Sequence, residues 1–159
     1  MLYLQMLPSP SEKDKFEQIY TLYRGLMFYI ARRILPGEAD AEDAVHQAFV
    51  SIIENLKKIS EIRCPKTRSY VVIITERKAI DILRSRSRLS PEAFEESTRG
   101  VELREVLLLR YYHGYTVREI APMLGRKPGA VQKLLTRAKA ALRKILEQED
   151  EPHGKATVF

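Results

Sequence analysis

The sequence predicts an all-α protein of two small helical domains, the second a helix-turn-helix. Three observations carry that prediction. Apolar residues recur at three- and four-residue intervals through most of the chain, Pro and Gly stand where those stretches end, and basic charge collects in two blocks either side of an acidic bridge. At 159 residues, 45% hydrophobic and 30% charged, the chain can bury a core for one ordinary domain or two small ones.

The first helix is carried by Phe16, Ile19, Tyr23, Leu26/Met27, Ile30 and Ile34, and Pro36-Gly37 ends it. A second follows with Val45, Ala48/Phe49, Ile52, Leu56 and Ile59. Asp40 is a good N-cap for it, with Glu42 and Asp43 in the first turn. After Cys64-Pro65, residues 66–88 run helix-like through Ile73/Ile74, Ile80 and Leu83. Val71 to Thr75 alone could pass for a strand, but the length of the segment and its Arg-rich end favour a helix. Residues 89–100 hold Ser, Pro, Glu and Gly without a sustained apolar period and read as a linker.

The remainder repeats the pattern on a smaller scale. Leu103 to Tyr112 is apolar and helical, closed by Gly114. Thr116 and Glu119 have the spacing of a capping box, which opens a short helix ending at Gly125. Pro122 falls inside that helix and predicts a bend or a late start. Pro128 is well placed at a first helical position, and Val131, Leu134/Leu135, Ala138, Leu142 and Ile145/Leu146 are expected to face a core. The domains are then 12–88 and 101–147, with a linker at 89–100 and a tail at 148–159.

Several function classes are excluded by composition. The longest apolar run, Tyr70 to Ile74, is far short of the roughly 20 residues that cross a bilayer. The start, MLYLQMLPSP, lacks the basic region and cleavage site of a secretory signal. A lone Cys64 excludes an internal disulfide and suits a reducing cytosol, so a cytoplasmic location is expected. His46, His113 and His153 have no metal-ligand spacing, and no phosphate-binding loop or nucleophile motif is present. No cofactor, metal or catalytic residue is expected.

Charge points elsewhere. The net charge of +6 divides unevenly: residues 1–60 carry 7 basic and 8 acidic side chains, 61–90 carry 8 and 3, 91–100 carry 1 and 3, and 101–147 carry 10 and 4. Two basic blocks suit contact with a polyanion at two places, although two solvated helix faces would share that composition. In a helix-turn-helix the second helix enters the major groove, with later Lys and Arg neutralising phosphates. Arg126, Lys127, Ala130, Gln132, Lys133 and Arg137 are therefore the candidate DNA contacts.

The residues also carry a family resemblance. "REVLLLRYYHGYTVREIAPMLGRKPGAVQKLLTRAKAALRK" resembles the promoter-binding C-terminal domain of bacterial RNA polymerase sigma factors, matching at Glu119-Ile120-Ala121 and Ala130-Val131. "DAEDAVHQAF", residues 40–49, resembles the Asp-Ala-Glu-Asp signature of small sigma factors of the extracytoplasmic-function type. "YVVIITERKAIDILRSRSR", residues 70–88, is similar to the promoter-melting helix that follows that signature, with Asp81 and the Arg tail in register. The resemblance implies core RNA polymerase and promoter DNA as partners, with an anti-sigma factor as a candidate regulator. It implies that Asp40, Glu42, Asp43, Gln47 and Glu54 face polymerase. It also implies that Arg68, Arg77, Lys78, Arg84, Arg86 and Arg88 bind the minus-ten element, and that the last helix binds the minus-thirty-five element.

Two of these assignments have a second reading in the sequence. The acidic first turn also complements the helix dipole, an effect of roughly 0.3 to 1 kcal/mol per charge. Tyr70 stands where the family usually has Trp, and serves either as a stacking platform for an unpaired base or as core. Two other functions stay open: a polymerase-independent regulator using the same helix-turn-helix, and a polymerase-interaction module that no longer reads DNA.

Overall fold

The structure, a computed structural model, describes residues 2–149, and every element in them is helical. The chain divides into two compact units, Met1–Phe94 and Glu95–Phe159. The all-α expectation is met, Val71 to Thr75 included. The buried Thr75 hydroxyl there donates to the Val71 carbonyl at 2.8 Å, the back-bond a helical threonine makes.

In the first unit three helices pack pairwise. Helix α1, Pro10–Ile34, starts where the Ser9 side chain accepts from the Glu12 N–H, and buries Phe16, Ile19, Tyr23, Met27 and Ala31. Helix α2 is Glu38–Glu54 and α3 is Pro65–Arg86. Phe16, Ile19, Met27, Phe49, Ile52 and Ile73 are fully buried. Burial of each such side chain contributes about 1.5 to 3 kcal/mol. The loop ahead of α3 is tied down by two hydroxyls, Tyr23 donating to the Ile62 carbonyl and Thr67 to that of Glu61.

Two boundaries differ from the sequence reading. Gly37, not Asp40, occupies the N-cap of α2, because the chain turns immediately after Pro36; Asp40 lies within the first turn. The helix also ends at Glu54, and Leu56–Lys58 forms a separate 3-10 turn.

Residues 89–100 are not an irregular tether. Pro91–Leu107 forms α4, with the Ser90 hydroxyl accepting from the Ala93 N–H and the Ser90 carbonyl from the Phe94 N–H. Capping and the Pro at the first position start a helix that needs only occasional anchors, Phe94, Thr98, Glu102, Glu105 and Val106, so no sustained apolar period marks it.

In the second unit, α4 passes into a π-helical turn, Leu108–Tyr112, and Gly114 takes φ +75° after it. Helix α5, Val117–Leu124, carries the full Thr116–Glu119 capping box and keeps Pro122 inside it. Gly125, at φ +65°, closes α5: its N–H reaches the Pro122 carbonyl and the Arg126 N–H reaches that of Ala121, the Schellman pattern. Helix α6, Pro128–Glu149, buries Val131, Leu134, Leu135 and Ala138. The expected core stripe stops there. Leu142 is 45% exposed, and Ile145 and Leu146 are 52% exposed, because the short α5 supplies too little surface to cover a 22-residue partner. The predicted tail lies outside the described residues from position 150 onward.

Candidate functional site

In the first unit, α2 presents a row of polar side chains. Asp40, Asp43, Gln47 and Glu54 are spaced by three, four and seven residues, with Glu42 alongside, while Ala41, Ala44, Val45, Ala48, Phe49 and Ile52 turn inward. Glu42, Asp43 and Glu54 are exposed, and Gln47 donates to Asp43 at 3.3 Å. Asp40 is different. Its carboxylate accepts from Arg86 Nε at 3.1 Å and from Arg86 Nη2 at 2.9 Å, a two-point pair joining the start of α2 to the end of α3. These hydrogen bonds, donated by Arg86 to the Asp40 carboxylate, hold the Arg86 pKa above its ordinary value. One residue assigned to polymerase and one assigned to DNA thus engage each other.

The other basic residues of α3 sort by burial. Arg68, Arg84 and Arg88 are exposed and Lys78 is half-buried. Arg84 pairs with Asp81 at 2.9 Å and lies over the Phe94 ring at 5.2 Å. Arg77 is only 6% exposed and Tyr70 only 7%, so in this conformation neither lies on a surface open to DNA. The three- and four-residue stripe Tyr70, Ile73/Ile74, Arg77 and Ile80 already places Arg77 on the inward face. Of the two readings of Tyr70, the structure places it with the core.

Cys64 sits at the N-cap of α3 with its thiol 3.4 Å from the Thr67 hydroxyl, and the Thr67 side chain, together with the Thr67 and Lys66 backbone N–H groups, pulls the thiol pKa below its ordinary value.

In the second unit, the face of α6 opposite its buried stripe carries the cations. Lys127, Gln132, Lys133 and Arg137 are exposed and Ala130 is half-buried. Lys133 and Arg137 are one turn apart, the spacing with which a helix follows a phosphate backbone. Lys139 and Arg110 both approach the exposed Tyr111 ring, at 5.5 and 5.8 Å. Arg126 departs from the expectation. Its Nη2 donates to both carboxylate oxygens of Glu102, at 2.7 and 2.8 Å, with side-chain exposures of 25% and 6%. The guanidinium is occupied by a nearly dry carboxylate. Glu102, missed in the sequence, is 24 residues away and on another helix, beyond the reach of any local pattern.

An acidic and a basic helix in one all-helical unit and a helix-turn-helix in the other are the parts a DNA-binding protein uses. Sigma-70 region 2 matches residues 19–89 and Sigma-70, region 4 matches residues 101–142, in that order and together over most of the chain. The chain belongs to the sigma-70 family, with the two-region pairing of the extracytoplasmic-function type. It is a sigma factor of transcription initiation, and its partners are core RNA polymerase and promoter DNA. Sigma-70 regions are not enzymes. Among solved structures, the chain is similar to CnrH in complex with the cytosolic domain of CnrY, at 27% identity over 86% of this chain and 89% of that chain, with a TM-score of 0.39. No curated protein sequence matches it. Among the described residues, no helix is long and apolar enough to cross a membrane.

Proposed function

We propose that residues 12–88 dock on core polymerase and hold the minus-ten element, and that residues 101–147 bind the minus-thirty-five element. Glu42, Asp43, Gln47 and Glu54 make the polymerase contact. Lys78, Arg84 and Arg88 lie along the minus-ten DNA, and Arg86 joins them when it leaves Asp40. Lys127, Ala130, Gln132, Lys133 and Arg137 meet the upstream element. The protein acts in the cytoplasm, where its polymerase partner is.

One observation supports this reading above the others: opposite charges stand on separate helices, with exposed carboxylates on α2 and exposed cations on α6 backed by a continuous buried stripe. Solvated faces without a partner would mix the two signs along each helix. The experiment is reconstituted transcription with purified core polymerase on promoters selected from a random DNA pool. Specific initiation that depends on the chain supports the reading. Reversing Glu42 and Asp43 to Lys should weaken core binding by about tenfold or more, with helix content unchanged. Undiminished core affinity in that variant would remove α2 from the polymerase interface.

A further inference from the structure

Residue 126 is the point where the helices of the second unit are tied together. Its backbone N–H reaches the Ala121 carbonyl of α5 at 2.9 Å, and its side chain grips Glu102 of α4 through both carboxylate oxygens. Helix α6 begins two residues later, where the Lys127 carbonyl accepts from Ala130 and Val131. The turn that aims α6 is therefore held at one residue from two directions. Glu102 is 6% exposed at its side chain, so removing Arg126 takes a cation away from a nearly dry carboxylate.

We propose that Arg126 and Glu102 form a strut that sets how α6 is presented to DNA, making Arg126 a positioning residue for promoter binding that does not touch DNA itself. This rests on the assignment of α6 to the upstream element. A phosphate ligand needs a guanidinium directed at solvent, and Arg126 directs its own into the unit; the adjacent Lys127 is the exposed cation. A helix that enters the major groove must hold several side chains in register at once, so loosening its first turn lowers the fraction of molecules able to bind. Apparent affinity falls by that same fraction. Such a loss is indifferent to salt, since no counterion-displacing contact is removed.

The test uses the full chain bound to core polymerase and a duplex that the wild-type holoenzyme has selected from a random pool. Affinity is measured from about 50 to 200 mM salt and referred to the folded fraction by circular dichroism. Arg126→Met should weaken binding about tenfold, corresponding to one binding-competent molecule in ten. Glu102→Gln, which keeps the shape and one acceptor oxygen for the guanidinium but loses the charge and the second of the two contacts, should weaken it about threefold. Both variants should keep the wild-type slope of log affinity against log salt and should lose affinity equally on duplexes altered at single base pairs. Lys133→Ala is the reference for a lost phosphate contact, with a slope shallower by about 0.9. A slope reduced by that amount in Arg126→Met would overturn the strut and make Arg126 a phosphate ligand. Tighter binding by Glu102→Gln would overturn it too, because Glu102 would then be masking a DNA contact. So would wild-type affinity in both variants, whatever their thermal stability. Where Arg126→Met does not fold, Glu102→Gln decides by the same criteria. Should the wild-type holoenzyme select no upstream element, the assignment of α6 to DNA fails and the strut falls with it.

Discussion

Replacing Lys133 and Arg137 with alanine, singly and together, tests α6 as a helix that holds phosphates. Both side chains are exposed, and both stand opposite Val131, Leu134, Leu135 and Ala138. Four residues at 1.5 Å each put them about 6 Å apart along the helix axis, room enough for two separate backbone contacts. Alanine is the best helix former, so the substitutions remove charge without unwinding α6. Each phosphate contact contributes about 0.9 to the slope of log affinity against log salt. Over a fourfold rise in salt, from about 50 to 200 mM, that amounts to a factor of about 3.5 for one contact and about 12 for two.

The wild-type holoenzyme should therefore lose about 12-fold more affinity over that range than the double variant, and about 3.5-fold more than either single variant. Fluorescence anisotropy of a labelled upstream duplex reads this directly. A wild-type slope accompanied by a loss of about 1 to 3 kcal/mol confined to one base pair would refute the phosphate assignment and place the residue at a base edge. Wild-type slope and wild-type affinity in all three variants would show that these cations are merely solvated.

Other expectations follow from burial, capping and hydrogen bonding. Arg77→Ala should lower the thermal midpoint of the first unit while leaving the salt slope for minus-ten DNA unchanged, because the side chain is buried; a shallower slope without destabilisation would restore Arg77 to the DNA surface. Ser90→Ala should cost α4 about 1 kcal/mol through the lost cap to Ala93, seen as faster amide exchange in the first turn of α4, and unchanged exchange would refute the cap. Thr67→Val should move the alkylation profile of Cys64 to higher pH, since the Thr67 side-chain hydrogen bond is the largest of the contacts that lower the thiol pKa, the Thr67 and Lys66 backbone N–H groups being the others, and the thiolate is the nucleophile. Thr67→Ser should leave the profile in place, and an identical profile in both variants would rule that hydrogen bond out.

Local features of the sequence determined the helices and the helix-turn-helix. A three- and four-residue apolar period, Pro at first positions, the Thr116–Glu119 capping box and the left-handed Gly125 act within one or two turns of chain, so they can be read without knowing what packs against what. The cations of α6 were legible for the same reason, since its inward stripe leaves only one face for them. Only the tertiary structure decided which charged side chains pair with each other. Asp40 meets Arg86 across 46 residues and Glu102 meets Arg126 across 24, and spacing along a chain carries no trace of partners on another helix. Residues 91–100 show the other limit of pattern: a helix anchored at a few points has no strong period, yet its cap and first-position Pro suffice to start it. The exposed end of α6 shows that periodicity marks a stripe capable of burial, while the length of the neighbouring helix decides how much of it is buried.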